Sequence, residues 1–117
     1  MKVLAIKESW RLCQPDAIYG CDRAWWHANL CLPDYCGIKI AYDPLLPQLS
    51  RRYGDVHLIR IAMHDDEPIF EPGLVGSGGN SAFQAVNLAV QFGARLVCLV
   101  GIDMHNRSGL HWYGRNE

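Results

Sequence analysis

The 117-residue sequence contains no CxxC pair, no His-x-x-x-His and no glycine loop ending in Lys-Ser or Lys-Thr. The spacings of a closed zinc site and of a P-loop are therefore missing, and no metal centre is expected. No apolar run approaches the roughly 18 residues of a membrane-spanning helix, and the longest, Leu96–Val100, is the size of a strand. An excess of either charge is also missing, with 11 Lys+Arg against 12 Asp+Glu and a formal net charge of -1. Such a balance gives no broad attraction for a nucleic-acid backbone or an anionic membrane, and neither partner is expected. The opening Met1–Glu8 places base and acid too early for the apolar core of a secretory signal and reads as a first strand, so a cytoplasmic setting is expected. The five cysteines are odd in number and lie mostly in apolar contexts, which predicts reduced core thiols instead of a disulfide framework.

What is present is globular: 50% hydrophobic and 20% charged residues in one domain's length, residues 1–117. Val3–Ile6 predicts a strand, followed by one or two helical turns before Pro15, and Ala17–Cys21 predicts a second strand. Asp22 stands at the N-cap of a helix over 23–30 that Pro33 prevents from continuing. Ile38–Tyr42 and Val56–Ile61 alternate as strands do, and the two prolines of 44–53 leave room only for a short helix. From Ala62 to Gly79 the chain is acidic, then proline- and glycine-bearing, with no sustained periodicity, which predicts a long connection of the kind that often carries function. Asn80–Phe92 is the clearest helix, with Ala82, Ala85, Val86, Ala89 and Val90 at helical spacing, Ser81 and Gln84 in a capping-box pattern, and Gly93 to close it. Leu96–Val100, apolar at every position, predicts a parallel strand covered on both faces, with Cys98 an inert buried thiol. Strands alternating with helices make the expected class α/β, a three-layer domain with a mostly parallel sheet.

The strongest chemical signal is Gly76-Ser77-Gly78-Gly79-Asn80-Ser81 running directly into that helix. Glycines allow close backbone approach, and the uncapped N–H groups at a helix start favour an anion such as phosphate. The plainer reading of the same residues is a flexible turn with an ordinary cap. In open parallel sheets ligands collect outside the carboxyl ends of the strands, which places Asp22, Asp103 and His105 beside the glycine loop. A carboxylate there would hold a ribose hydroxyl, and a histidine would act as general base or steady a phosphate. For Asp22 a helix cap is the competing role, and for Asp103 and His105 a solvated loop. Trp25-Trp26 and Trp112-Tyr113 suit nucleobase stacking, core packing or a subunit contact.

Ser9-Trp10-Arg11-Leu12, Tyr19-Gly20-Cys21-Asp22 with Trp25-Trp26, the stretch from Gly76 to Ala94, Gly101-Ile102-Asp103-Met104 and His111-Trp112-Tyr113-Gly114 together resemble a family of largely uncharacterised phage and prophage proteins with a Rossmann-like fold. More distantly, the serine-bearing glycine turn, small-residue helix, apolar strand and Gly-Ile-Asp are similar to bacterial sialyltransferases that use a CMP-linked sugar and to pterin pyrophosphokinase-like proteins. The resemblance implies a single Rossmann-like domain whose nucleotide lies against Ser77, Gly78, Gly79, Asn80 and Ser81. It implies group transfer with a catalytic histidine that corresponds to His105 or His111; Asp103 and His105 would then be placed for ribose contact or base catalysis, and His111-Trp112 would cover the ligand. The pattern also departs from that wider group. An amino-terminal Gly-Pro-Ser turn is missing, Lys7 lies near the position of an expected asparagine, and relatives continue beyond Glu117. Half of a nucleotide site would then be lacking, so a homo-oligomer that completes the pocket across an interface is expected. A non-enzymatic protein that sequesters a nucleotide in the host cytoplasm, or an interaction domain using Trp25, Trp26 and Trp112 as its surface, are the other expectations. No separate cofactor is implied.

Overall fold

A computed structural model of the chain describes residues 1–42, 56–62 and 65–102. Its elements in order are β1 (Leu4–Ile6), a 3-10 helix (Lys7–Leu12), β2 (Ala17–Gly20), α1 (Arg23–Ala28), β3 (Ile38–Ala41), β4 (His57–Leu58), β5 (Arg60–Ala62), β6 (Leu74–Gly76) and α2 (Ser81–Gln91). Four strands pair in the order β1-β2-β3-β4 and two in the order β5-β6, every pairing parallel. The expected α/β class with parallel strands is therefore present, and the short helix expected within 44–53 falls outside the described residues.

The alternation of a strand sends successive side chains to opposite faces, and β2 shows what that does here. Ile18 joins Ala5, Trp26, Cys31, Leu32 and Ala41 in one buried cluster, while Tyr19 joins Ile40, Ile59, Val75, Ala85 and Leu88 in another. All four residues of β2 are buried, as a strand with apolar partners on both faces must be. Trp26 is fully buried and donates from Nε1 to the Gly20 carbonyl at 2.8 Å, and Trp25 donates to Glu8 at 2.8 Å. Both indoles are thus tied into the scaffold, against the expectation that they form an exposed contact surface.

The stretch expected to be one strand over 56–61 is broken at Ile59, whose N–H donates to the Ala41 carbonyl before the chain turns to pair with β6. β6 itself lies inside the stretch read as a structureless connection. Three residues are too few to show a period, and with Gly73 just before them and Gly76 the last of them they carry the signature of a turn.

Helix α2 forms where its spacing predicts, with a different cap. Asn80, not Ser81, is the N-cap residue, its side chain accepting from the Phe83 N–H at 2.9 Å. Gln84, freed from a capping role, accepts from the Tyr19 hydroxyl at 2.7 Å and donates to the Ser77 carbonyl at 2.9 Å. At the other end Gly93 takes φ +86°, and the N–H groups of Gly93 and Ala94 bond Val90 and Ala89 in a Schellman closure.

Two expectations for the segment after α2 are overturned. Leu96–Val100 forms no strand, Leu96 is 89% exposed and Val100 86%, and the Cys98 thiol is exposed. A strand buried on both faces needs a neighbour for its backbone as well as cover for its side chains, and in this structure the segment pairs with none of the described strands. Of the five free cysteines only Cys31 is fully buried, so the expectation of core thiols holds for that one residue.

Candidate functional site

The carboxyl ends of β1 and β2 and the loop after β6 meet at one rim. β1 ends at Ile6, and Lys7 follows at φ +46°, a left-handed conformation that costs a non-glycine residue about 1 kcal/mol or more. β2 ends at Gly20, followed by Cys21 and Asp22. The Lys7 ammonium and the Asp22 carboxylate form an ion pair across the two strand ends. Asp22 occupies the N-cap position of α1 but makes no side-chain cap bond, so its carboxylate serves the rim and not the helix it precedes.

The Cys21 sulfur bridges to the third element. It lies 3.2 Å from Ser81 Oγ and donates to Asp22 at 3.6 Å. Burial pushes the thiol above its ordinary value and the Asp22 charge adds to that, outweighing the Ser81 hydrogen bond and Lys7. Cys21 is accordingly a neutral thiol at physiological pH, a hydrogen-bonding spacer and not a nucleophile. Burial likewise pushes the Tyr19 hydroxyl far up, which keeps it the donor that fixes Gln84 under the loop.

The glycine loop is shaped by close contacts. Gly78 and Gly79 take φ of +52° and +68°, and a Cβ on Gly78 would strike the Phe83 ring. A Cβ on Gly76 would strike the Glu67 carbonyl and lie 3.0 Å from that of Asp65. Ser77 is buried, with its N–H on the Asp65 carbonyl at 2.7 Å and its own carbonyl taken by Gln84. Asn80 caps Phe83 and donates back to the Gly78 carbonyl at 3.1 Å. Helix geometry leaves the Ser81 and Ala82 N–H groups without intrahelical acceptors, and Gly79 and Asn80 are exposed before them. The open part of the loop is thus its second half, Gly79 to Ser81, while Gly76 and Ser77 hold it in place.

The structure brings Gly76, Ser77, Gly78, Gly79, Asn80, Ser81 and Asp22 to one rim. Asp103, His105, His111 and Trp112 lie outside the described residues. Lys7, read from the sequence only as lying near the position of an expected asparagine, and Cys21, read only within Tyr19-Gly20-Cys21-Asp22, are both rim residues, and the position of each immediately after a strand was the available signal for a binding role. Among the described residues no group of three or more His, Cys, Asp or Glu side chains is placed to hold a metal ion, and no helix is long and apolar enough to cross a membrane. Comparison with protein-family models, curated proteins and solved structures finds no match to the chain.

Proposed function

We propose that this chain is a Rossmann-like domain that binds the phosphate of a nucleotide or nucleotide sugar at the rim formed by Lys7, Asp22 and Gly79–Ser81. The observation that carries the reading is the ion pair between Lys7 and Asp22 set beside the amino-terminal turn of α2. An anion at that turn gains from the free N–H groups and the positive end of the helix dipole. Lys7 supplies a point charge to the same anion, and Asp22, released from it, is an acceptor for a ribose hydroxyl. The similarity to phage and prophage proteins, and more distantly to sialyltransferases using a CMP-linked sugar, rests on the motif Gly76–Ala94 with Gly101-Ile102-Asp103. On that similarity the reaction is glycosyl transfer: the bond from sugar to phosphate breaks, a bond to the acceptor hydroxyl forms, and the nucleotide leaves. His105 would take the acceptor's proton and Asp103 would hold ribose, with His111 and Trp112 over the ligand.

Binding without turnover, by a homo-oligomer that sequesters its nucleotide, is the second reading. A thermal-shift series with CMP, CMP-linked sugar, ADP and a cyclic dinucleotide tests the binding step common to both. A ligand at 100 times its dissociation constant adds about 2.7 kcal/mol of stability, and the Lys7→Met variant is expected to bind it about tenfold more weakly. No shift with any of the four makes the glycine loop a structural cap and overturns the proposal. Product release from the CMP-linked sugar then separates transfer from sequestration.

A further inference from the structure

Among the described residues no strand pairs with the outer edge of β1. Val3 accepts from the Ala17 N–H, so alternation along the strand turns the backbone groups of Leu4 and Ile6 away from β2, toward a side where the four-stranded sheet has no further member among the described residues. That edge is one wall of an open groove of about 2690 Å³. Ala82, Val86 and Ala89 of α2 form another wall, and the third is the segment from Ala94 to Ile102. The helical stripe Ala82, Ala85, Val86, Ala89 and Val90 therefore turns mostly toward the groove, with the most buried side of α2 formed instead by Gln84, Ala85, Asn87 and Leu88.

We propose that Leu96–Val100 closes onto the free edge of β1 as an added parallel strand, covering the Ala82–Val86–Ala89 stripe. Four observations select this occupant. The segment is apolar at five consecutive positions, as a strand covered on both faces is. Its large side chains are exposed, with Leu99 at 55%. It already borders the groove that β1 walls. The tether Gly93-Ala94-Arg95, after a helix that returns from a parallel strand, has an ordinary length for a connection to the next parallel strand. Closure brings Gly101 and Ile102 to the carboxyl end of β1, beside Lys7, so the added strand extends the rim by a fourth strand end. The closure stands on the groove and the edge alone and does not depend on what the rim binds.

Amide hydrogen exchange on the unmodified chain reads closure directly. The expected result is that alternate amides of Leu96–Val100, together with those of Leu4 and Ile6, exchange at least 100-fold more slowly than in an unstructured peptide, at a rate independent of protein concentration. Val97→Pro is expected to release the β1 amides while leaving those of α2 protected. Free-peptide exchange of Leu96–Val100 beside a protected α2 overturns the proposal, as does protection that rises with protein concentration and belongs to a second copy. Disulfide trapping supplies an independent reading, with Cys98 as the native partner of a cysteine introduced as Leu4→Cys or Ile6→Cys. An intramolecular crosslink at either position supports closure, and disulfide-linked dimers alone contradict it.

Discussion

The two flanks of α2 reverse what their compositions suggest. On its amino-terminal side a glycine- and proline-bearing stretch without periodicity is held by hydrogen bonds to side chains of the helix, and on its carboxy-terminal side the most apolar stretch of the chain lies in solvent. The first flank is fixed by polar side chains of the helix itself. Asn87, 1% exposed, accepts from the N–H groups of Ile69 and Gly76 at 2.9 and 3.1 Å and donates to the Ile69 carbonyl at 2.7 Å. Gln91 donates to the Ile69 and Leu74 carbonyls and accepts from the Gly73 N–H at 3.1 Å. Irregular backbone has few ladder partners, so burying it requires side-chain donors and acceptors in their place. The second flank has apolar side chains in abundance and no backbone partner. Hydrophobicity states what a segment would gain by burial, and hydrogen-bond satisfaction decides whether it can be buried where it stands.

The largest expected effect comes from removing the polar tether. Asn87→Leu keeps the branched shape of the side chain and leaves the buried N–H of Gly76 and the half-buried N–H of Ile69 without their acceptor, and it should cost about 3 kcal/mol at one to three for each unmet group, measured by urea unfolding. A loss below about 1 kcal/mol would mean that the loop takes its shape without Asn87. Gly78→Ala sharpens the comparison within the loop. The left-handed φ and the Phe83 ring together predict a loss of about 2 kcal/mol, while Gly79→Ala, whose Cβ meets no atom, bears the backbone strain alone and should lose less. The smallest effect lies away from both flanks, at Glu8. Burial pushes its carboxyl up, but the Trp25 indole, Arg11 and Asn29 outweigh that and hold it below the usual range. Its contribution is therefore full above the unfolded carboxylate value of about 4.3 and is lost as pH falls through the lower folded value. Glu8→Gln should remove that part of the acid lability, about 1 kcal/mol or less, seen as a flatter melting temperature between neutral pH and pH 3.

The elements legible in the sequence are those whose burial is apolar and local in pattern. β1, β2, β3 and α2 lie within a residue or two of their expected ranges because alternation or helical spacing marked them. The Gly76–Ser81 loop was legible as a candidate site because its glycines stand directly before a helix. The polar tether was not, since Asn87 and Gln91 bond groups 11 to 22 residues away, and on a helix such residues read as solvent-facing. Which of its two expected roles Asp22 takes was not legible for a related reason. An acid before a helix predicts a cap, and only the folded sheet brings Lys7 across to compete for it. The outer wall of the groove lay beyond sequence reasoning in another way, because composition marks Leu96–Val100 as a strand without naming the edge that it would join.

The central claim is that the rim of Lys7, Asp22 and Gly79–Ser81 receives a nucleotide phosphate. A titration of the isotope-labelled chain with CMP, followed by amide chemical shifts, tests it at the level of single residues. The account predicts saturable shifts concentrated at Gly79, Asn80, Ser81, Ala82 and Lys7, reduced by Lys7→Met and reproduced in part by inorganic phosphate. Shifts confined to other parts of the sheet, or saturable shifts unaffected by Lys7→Met, would contradict it.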